Sequence, residues 1–512
     1  MTSVLALRRT GVAGGLLTSF AGLGGMFLAV VAPPAAAISG STPTVLYVAT
    51  PPNGGSDSHA CTQSAPCATV QRAVDVSGPG GTIHVGAGTF VGRVDFTGSS
   101  LTVVGAGQEQ TFLDGGGLPV VVWVSQESSG APNTYRINDL TVQHADGTGA
   151  HHTGGITLLR GFLDLVRVTI TANVGFGVFN ESSYVSIADS TISDNSATGL
   201  ENFEGDMDVS GSTFTGNGSG ISDESGVSTF TNITVAENTH GGFSASNTAR
   251  PTITASTIAS NGGTGIAEGG FIQGGLVAGV TVGSTIIANN AGGNCYISVG
   301  HDDSGYFKDS GYNLESDGGA SCTFSGAKHD LVGGSPHLGP LQDNGGPTYT
   351  MLPAAASPVV NALPTSTGLC PRVDQRKVTR PQGAACDIGA VEREAPQGVI
   401  FAVTFKNCSL LHVGYNRFKD GTVVRWTVSS NGFGQVASGS FTAIGGGSAG
   451  SKTFHFLTQP LGTTLHPDPV HSHVHFTWPN GGKYVVTRNP TCPTAAPAPA
   501  PVSDVSHSVR SG

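Results

Sequence analysis

A short phrase returns six times in this chain, and its spacing constrains the fold more than any single residue does. The phrase begins on threonine and closes on asparagine, at 169–173, 191–195, 213–217, 234–238, 257–261 and 285–289. The closing asparagines are 22, 22, 21, 23 and 28 residues apart. Repeats of about 20–50 residues are typical of solenoids, in which each unit buries its apolar face only by stacking on its neighbours.

Apolar residues keep the same period in three files, each within a short alternating run. The files are Leu165, Ile187, Val209, Phe230 and Ile253; Ile170, Ile192, Phe214, Val235 and Ile258; and Val178, Leu200, Ile221, Phe243 and Ile266. Short alternating runs predict three strands per coil, whereas a helical solenoid needs longer amphipathic runs. The predicted fold class is all-β, a right-handed parallel β-helix solenoid.

The asparagine file is interpreted as a structural ladder rather than a ligand site. Like residues on successive coils stack about 4.8 Å apart. Asparagine tolerates left-handed backbone at a tight turn, and its amide can bond to the next coil. Ile170, Ile192 and Phe214 are accordingly expected in one column.

The N-terminus has the features of a secretory signal, predicted over residues 1–37. Arg8 and Arg9 precede an apolar stretch from Gly11 to Ala32, and 35–37 is an all-alanine cleavage site. An uncleaved membrane anchor is the alternative. Residues 38–89 are predicted to be a linker and an N-terminal cap, in which a helical run at 68–74 covers the exposed first coil.

Eight cysteines suit an oxidising compartment. Nearest-neighbour pairing is the economical prediction, although eight cysteines allow 105 connectivities. The predicted pairs are Cys61 with Cys67, Cys295 with Cys322, Cys370 with Cys386, and Cys408 with Cys492. No cysteine or histidine spacing typical of a zinc module occurs.

Residues 330–392 depart from the repeat and carry a dense set of motifs. Leu338-Gly339-Pro340-Leu341-Gln342-Asp343-Asn344-Gly345-Gly346-Pro347-Thr348 is followed by Asp374-Gln375-Arg376 and by Cys386-Asp387-Ile388-Gly389-Ala390-Val391-Glu392. This segment resembles the carboxy-terminal signature of bacterial choice-of-anchor Q proteins, which are secreted β-helices similar to pectate lyases. Lys377 and Asn361 depart from the usual glycine and aspartate. The resemblance implies a β-helix over 90–392 and an extracellular setting, but no reaction.

A separate module is expected after Glu392. Short alternating segments between 398 and 492 predict a small β-sandwich-like domain. Residues 493–512 are rich in alanine, proline and serine and are predicted to be disordered.

An acidic strip is the first candidate site. Glu181, Glu201, Asp223, Glu224 and Glu268 follow the third apolar file, so their carboxylates are expected on one side of the solenoid. They could bind Ca²⁺ or a saccharide, or supply an acid–base pair for glycosidic cleavage. A solvated acidic face on an acidic protein is the plainer interpretation.

The charge pattern argues against lyase chemistry and nucleic-acid binding. The net charge is −11, and no lysine or arginine occurs between Asn173 and Arg250. A polyuronate would be repelled there unless metal ions bridged it. Stacking platforms for neutral sugars are few, and Trp123, Tyr135 and Tyr184 are the candidates.

A histidine row is the second candidate. On a strand, His471, His473 and His475 face one way and Val474 and Phe476 the other. Such a row could bind Zn²⁺, Cu²⁺ or Ni²⁺, but an amphipathic strand explains it equally well.

The sequence therefore predicts a secreted or cell-surface β-helix protein that binds glycans or other cell-envelope components without cleaving them. No catalytic residue and no certain cofactor are assigned, with Ca²⁺ as a possibility. Neither nucleic acid nor, after signal cleavage, a membrane is expected as a partner. The alternatives are a polysaccharide lyase or glycoside hydrolase acting on the solenoid flank, and a structural spacer that presents the C-terminal module.

Overall fold

The computed structural model describes residues 44–126, 132–148, 152–270, 272–273, 276–277, 279–297, 307–318, 321–394, 399–407, 410–416, 418, 422–430, 434–443, 450–455, 472–478 and 482–488. The predicted signal at 1–37 and tail at 493–512 lie outside these residues. Among the described residues, no helix combines the length and apolarity needed to cross a membrane.

The repeating segment folds into a parallel β-helix, as predicted. One coil consists of Tyr184–Ala188, Thr191–Ser193 and Thr198–Phe203. Ile170, Ile192 and Phe214 are register partners on successive coils and are fully buried, which confirms the predicted column. The core forms because every coil presents its apolar file to the same interior.

Two sides of the described solenoid form one continuous sheet. Its strands are Val45–Val48, Gly81–Val85, Gly88–Val91, Leu101–Val104, Thr111–Asp114, Thr134–Gln143, Phe162–Thr171, Tyr184–Ala188, Thr191–Ser193, Asp206–Ser210, Thr213–Thr215, Ser228–Thr231, Thr234–Ala236, Thr252–Thr254, Thr257–Ala259, Val280–Gly283, Ile286–Ala288, Phe307–Asp309, Leu314–Glu315 and Leu331–Val332.

The third side is a separate parallel sheet, here called the lateral sheet. Its described strands are Val94–Phe96, Val120–Ser125, Gly154–Leu159, Phe176–Glu181, Thr198–Phe203, Ser219–Gly226, Phe243–Ala249, Ile266–Gly270 and Cys295–Ile297. A two-stranded antiparallel ribbon, Ile272–Gln273 with Leu276–Val277, follows the strand Ile266–Gly270.

The helical run predicted at 68–74 is a helix spanning Val70–Val76. Thr69 caps it, because the Thr69 hydroxyl accepts a hydrogen bond from the backbone N–H of Arg72 at 3.2 Å. Val70 and Ala73 are buried in the solenoid core. The helix therefore covers apolar surface at the N-terminal end of the described stack.

The asparagine column is a hydrogen-bonded ladder. Side-chain amides at 173, 195, 217, 238 and 261 each donate to the carbonyl oxygen of the next at 2.9–3.1 Å. The Asn261 amide donates to Asn290, whose own amide donates onward to Asn294 Oδ1 at 3.1 Å, so the expectation for Asn289 is wrong. Ile258 pairs with Ile287, one position later than the threonine phrase suggests, and the apolar register decides which asparagine faces inward.

The left-handed backbone of these turns also lies one residue earlier than expected. Ala172 has φ 55° and Glu237 has φ 58°, and each precedes a ladder asparagine. The preceding residue therefore makes the turn, and the asparagine supplies the amide.

Residues 338–392, here called the strap, lie against the outside of the solenoid. The strap starts with the antiparallel pair Leu338–Gln342 and Thr350–Pro353. Val359, Leu363 and Ile388 pack in one cluster with Ile286 and Ala288 of the solenoid. The strap thus buries a solenoid face that would otherwise meet solvent.

The C-terminal region contains two antiparallel sheets over a separate core. Within the described residues one sheet is Val399–Asn407, Leu410–Asn416 and Gly450–His455; the other is Gly434–Thr442, Val423–Ser430, Ser472–Trp478 and Gly482–Arg488. Short 3-10 helices occur at Pro51–Asn53, Gly326–Lys328 and Thr365–Thr367.

Three predicted disulfides are confirmed, namely Cys61–Cys67, Cys295–Cys322 and Cys370–Cys386. The predicted pair Cys408 and Cys492 lies outside the described residues.

Candidate functional site

The five predicted carboxylates all lie on the lateral sheet, but they do not form one strip. Asp223 and Glu268 face the interior, at 0 % and 1 % exposure, whereas Glu181, Glu201 and Glu224 are half-buried on the outer face. The reason is the strand pleat, because neighbouring residues of a strand point to opposite faces. Proximity along the chain does not separate these two faces, so the predicted strip joins carboxylates from both.

The inward carboxylate of Asp223 ends a second run of amides. The Asn180 side-chain amide donates to Asn202 Oδ1 at 2.6 Å, and the Asn202 amide donates to Asp223 Oδ1 at 2.8 Å. Burial raises the pKa of Asp223 to about 6 against the opposing effect of the Asn202 bond. Asp223 is therefore part of the interior packing, out of reach of a ligand outside.

Glu201 is the carboxylate whose outer position and chemistry fit a site best. Its register partners on the outer face are Phe179 and Ser222. Burial raises the pKa of Glu201 to about 7, partly offset by hydrogen bonds to Ser222 and Thr198, and the nearby Glu224 carboxylate raises it further. A carboxyl group with such a pKa can hold or release a proton near neutral pH.

Aromatic and basic groups lie along the same outer face. The His152 ring stacks on Phe179 at 4.3 Å between ring centroids, and its Nδ1 lies 3.5 Å from Glu181 Oε2. Further along, the Arg93 guanidinium lies 4.8 Å from the centroid of the Trp123 ring. Both aromatic faces are therefore partly covered by the protein's own side chains.

Within the described residues, the side chains predicted to bind a metal ion do not form a converging ligand set. No group of three or more His, Cys, Asp or Glu side chains is placed to hold an ion there. Asp223 and Glu268 are separated in their inward column by Ala245. His473 and His475 lie on the strand Ser472–Trp478, opposite the buried Val474 and Phe476, and His473 Nδ1 is 2.9 Å from Thr487 Oγ1. His471 lies outside the described residues, so metal binding by this row stays a prediction.

A cleft of about 450 Å³ opens where the lateral strands end, and we call it the corner cleft. Two-residue turns stack there on three successive coils, at 160–161, 182–183 and 204–205. Arg160, Ser182 and Glu204 have φ of 60°, 50° and 59°, which lets the chain turn the corner from one side of the solenoid to the next in two residues. The next strands begin immediately and form the floor of the cleft.

The floor combines aromatic rings with acidic side chains. Phe162, Tyr184 and Asp206 are register partners on successive coils. The Phe162 and Tyr184 rings meet edge to face, 5.8 Å apart at an interplanar angle of 77°. The complete lining is Gln126, Pro132, Arg160, Gly161, Phe162, Ser182, Ser183, Tyr184, Glu204, Gly205 and Asp206.

The sequence predicts one residue of this cleft. Tyr184 was a candidate stacking platform and lies half-exposed in the cleft, whereas Tyr135 is fully buried and its hydroxyl donates to the Gly98 carbonyl at 2.7 Å. The signal for the others was the 22-residue spacing of Arg160, Ser182 and Glu204, together with that of Phe162, Tyr184 and Asp206. Neither file is apolar throughout, so the apolar periodicity does not mark them.

Comparisons with known proteins support the architecture. Residues 155–329 match the family model described as "Right handed beta helix region". The crystal structure of pectate lyase Pel9A aligns with a TM-score of 0.50 and 19 % identity, covering 69 % of this chain and 97 % of that chain. The described solenoid is therefore a right-handed, pectin-lyase-like β-helix. At this identity the likeness concerns the fold alone.

Two further solved structures align less closely. The A-module of the Azotobacter vinelandii mannuronan C-5 epimerase AlgE6 has a TM-score of 0.31 and 16 % identity, covering 51 % of this chain and 84 % of that one. Pectin methylesterase PemA from Erwinia chrysanthemi has a TM-score of 0.29 and 10 % identity, covering 57 % and 94 %. No curated protein sequence matches the chain.

Proposed function

We propose that this chain is an exported protein whose β-helix binds glycans without cleaving them, and that the corner cleft is the contact site. The observation that carries the proposal is the pairing of Phe162 and Tyr184 in an open cleft with a polar rim. Ligand sites combine apolar or aromatic surface with a few placed polar groups. Sugars suit this arrangement because their C–H faces pack on rings while their hydroxyls bond to side chains at the edge.

The size and direction of the cleft agree with an oligosaccharide. Its volume of about 450 Å³ lies in the range of about 300–1,000 Å³ found for ligand sites. Successive coils present Phe162, Tyr184 and Asp206 along the solenoid axis, so an extended chain can contact several coils at once. Phe203, 39 % exposed, adds apolar surface directly before the turn residue Glu204.

Export is part of the proposal. It is supported by the signal-like residues 1–37 and by three disulfides, which persist in oxidising compartments. The resemblance of residues 330–392 to choice-of-anchor Q proteins supports the same setting. The fold is shared with pectate lyase Pel9A, a protein named for action on a polysaccharide, which agrees with a carbohydrate ligand.

The proposal is tested by binding of a neutral and charged oligosaccharide panel to the mature protein. We expect Tyr184→Ala to weaken binding at least about tenfold, as loss of a central aromatic contact does at many interfaces. Tyr296→Ala is the matched control, because Tyr296 is 61 % exposed on the lateral sheet, away from the cleft. Equal affinity in both variants, or no binding by the parent protein, would refute the proposal.

Glycosidic cleavage is the second candidate, favoured by the Glu201 carboxyl group and its pKa of about 7 beside Glu224. Two neighbouring carboxyl groups are the usual catalytic pair of glycosidases. Release of new reducing ends by the parent protein, abolished in Glu201→Gln and kept in the exposed control Glu237→Gln, would establish this activity. Such a result would replace non-catalytic binding as the function.

A further inference from the structure

We infer that the corner cleft selects glycans carrying free, protonated amino groups. This inference rests on the proposed function and specifies its ligand class. It is carried by the acidic side chains that surround the exposed aromatic pair and by their excess over the cations of the described residues beside them.

The carboxylates lie in two neighbouring outer files. Asp206 follows Tyr184 in the first file, and Asp164 and Asp208 flank Ser186 in the second. Burial raises the pKa of the Tyr184 phenol, and the negative charges of Asp208, Asp164 and Asp206 raise it further. The register places Asp206 beside Tyr184 on the next coil, and Asp164 and Asp208 beside Ser186 on the same outer face two residues along.

Most of this negative charge has no internal counter-ion. Asp164 is paired with Arg136 at 2.9 Å. In contrast, Glu204, Asp206 and Asp208 are exposed and form no ion pair with any described residue. Asp206 and Asp208 accept hydrogen bonds only from uncharged groups, the backbone N–H of Val227 at 2.8 Å and the Thr229 hydroxyl at 3.0 Å.

The cleft has one basic lining residue, Arg160, against two acidic ones, Glu204 and Asp206. No lysine or arginine occurs in the sequence from Val174 to Ala249, which supplies the coils on one side of the cleft. On the other side, Arg136 and Arg167 are already paired with Asp164 and Asp139. The field at the cleft is therefore negative, and it disfavours uronates and sulfated sugars.

Two interactions stabilise an ammonium group in the corner cleft. It is attracted to an aromatic face, and it donates charge-assisted hydrogen bonds to carboxylates. An N-acetylated sugar of the same linkage keeps the apolar contacts and loses both charge terms. The difference between the two sugars therefore reports the selectivity directly.

The test uses calorimetry on the mature full chain at pH 6 with two probes, the β-1,4-linked glucosamine tetrasaccharide and its fully N-acetylated form. We expect at least about tenfold tighter binding of the amine form, and a smaller preference at 0.5 M salt because charges are screened. The double variant Asp206→Asn/Glu204→Gln should remove the preference.

The control is Asp194→Asn/Glu237→Gln, which removes the same charge from exposed positions outside the cleft and should keep the preference. Equal affinity for the two sugars, with loss of both in Tyr184→Ala, would overturn the amine inference and leave the proposed function standing. No binding of either sugar would overturn both. If the control variant lost the preference to the same extent, net charge alone would explain it. If trilysine bound more tightly than the amine sugar, the ligand would be a basic peptide. Either result overturns the inference.

Discussion

The repeating coils and the strap solve the same stability problem in different ways. In the coils the ladder asparagines bond to their copies on the next coil, as Asn195 does with Asn217, 22 residues later. In the strap the partners are unlike and distant, as with Gln375 and Thr213, which are 162 residues apart. The coils therefore share stabilisation among many equal contacts, whereas the strap depends on a few buried groups.

The strap also gives identical repeat positions different environments. Thr191 and Thr213 are register partners in the same column. Thr191 is half-buried, whereas Thr213 is fully buried under the strap, where its hydroxyl donates to the Tyr349 carbonyl at 2.6 Å. The comparison shows that repeat position determines fold and that a non-repeating segment determines exposure.

The largest effect is expected from Arg380→Met. The Arg380 guanidinium is fully buried, 3.5 Å from Glu392, and donates to the backbone carbonyls of Asp387 and Gly389 at 2.7 Å. Removing one member of a buried ion pair costs about 3–5 kcal/mol, because the other charge stays buried. Urea unfolding and trypsin cleavage within the strap measure the loss.

Arg93→Met is the control for Arg380, because Arg93 pairs with Asp95 while 40 % exposed and should cost at most about 1 kcal/mol. Similar losses in both variants would show that the strap does not depend on its buried cation.

Asp223→Asn is expected to stabilise the coils at neutral pH. The folded-state pKa of about 6 is above the ordinary 3.8, so ionisation of the buried group opposes folding. The stability of the parent protein should fall as pH rises from about 4 through 6, and stay lower above. The variant should be more stable by about 3 kcal/mol at pH 8 and no more stable near pH 3.5.

Unfolding midpoints at those two pH values check the Asp223 prediction, with the exposed Asp194→Asn as the control. A gain of the same size at both pH values would contradict a buried, ionisable Asp223 and would indicate better packing alone.

Gln375→Ala should cost about 2 kcal/mol, because the fully buried side chain bonds to both the coils and the strap. Its oxygen accepts from the Thr234 hydroxyl at 2.7 Å, and its amide donates to Thr213 and Thr348 at 2.8 and 2.9 Å. Gln382→Ala serves as the control, since the Gln382 amide bonds an exposed carbonyl and should change the free energy of unfolding by less than about 0.5 kcal/mol. Equal losses of unfolding free energy in the two variants would show that the Gln375 side chain does not link the coils to the strap.

The smallest and most direct test compares Thr213→Val with Thr191→Val. The substitution keeps the side-chain shape and removes one hydroxyl in the same column. We expect a loss of about 1 kcal/mol at 213 and less than about 0.5 kcal/mol at 191. Equal losses of unfolding free energy in the two variants, measured by urea unfolding, would show that contact with the strap does not make the Thr213 hydroxyl more stabilising.

Much of the fold could be predicted because its signals are periodic. The columns through Ile170 and Ile192, the helix at Val70–Val76 and three disulfides follow from spacing and local chemistry. The asparagine ladder agrees with the prediction to within one residue. The prediction fails at Asn289 because the strand register of the last coil is shifted by one residue from the threonine-to-asparagine phrase.

The candidate site was harder to predict. Asp223 and Glu201 stand in similar sequence contexts, yet one faces the core and the other the outside. The corner cleft depends on turns whose residues differ in type from coil to coil, so no repeated letter marks it. Only Tyr184 had been singled out.

The sequence by itself determined that this chain stacks three-stranded coils. The coils pack through apolar side chains that recur at a regular spacing, and that spacing can be read directly from the sequence. Tertiary structure alone decided which carboxylates meet solvent, which threonines lie under the strap and where the corner cleft opens. Those outcomes depend on strand register and on contacts between residues more than a hundred positions apart, which no local pattern encodes.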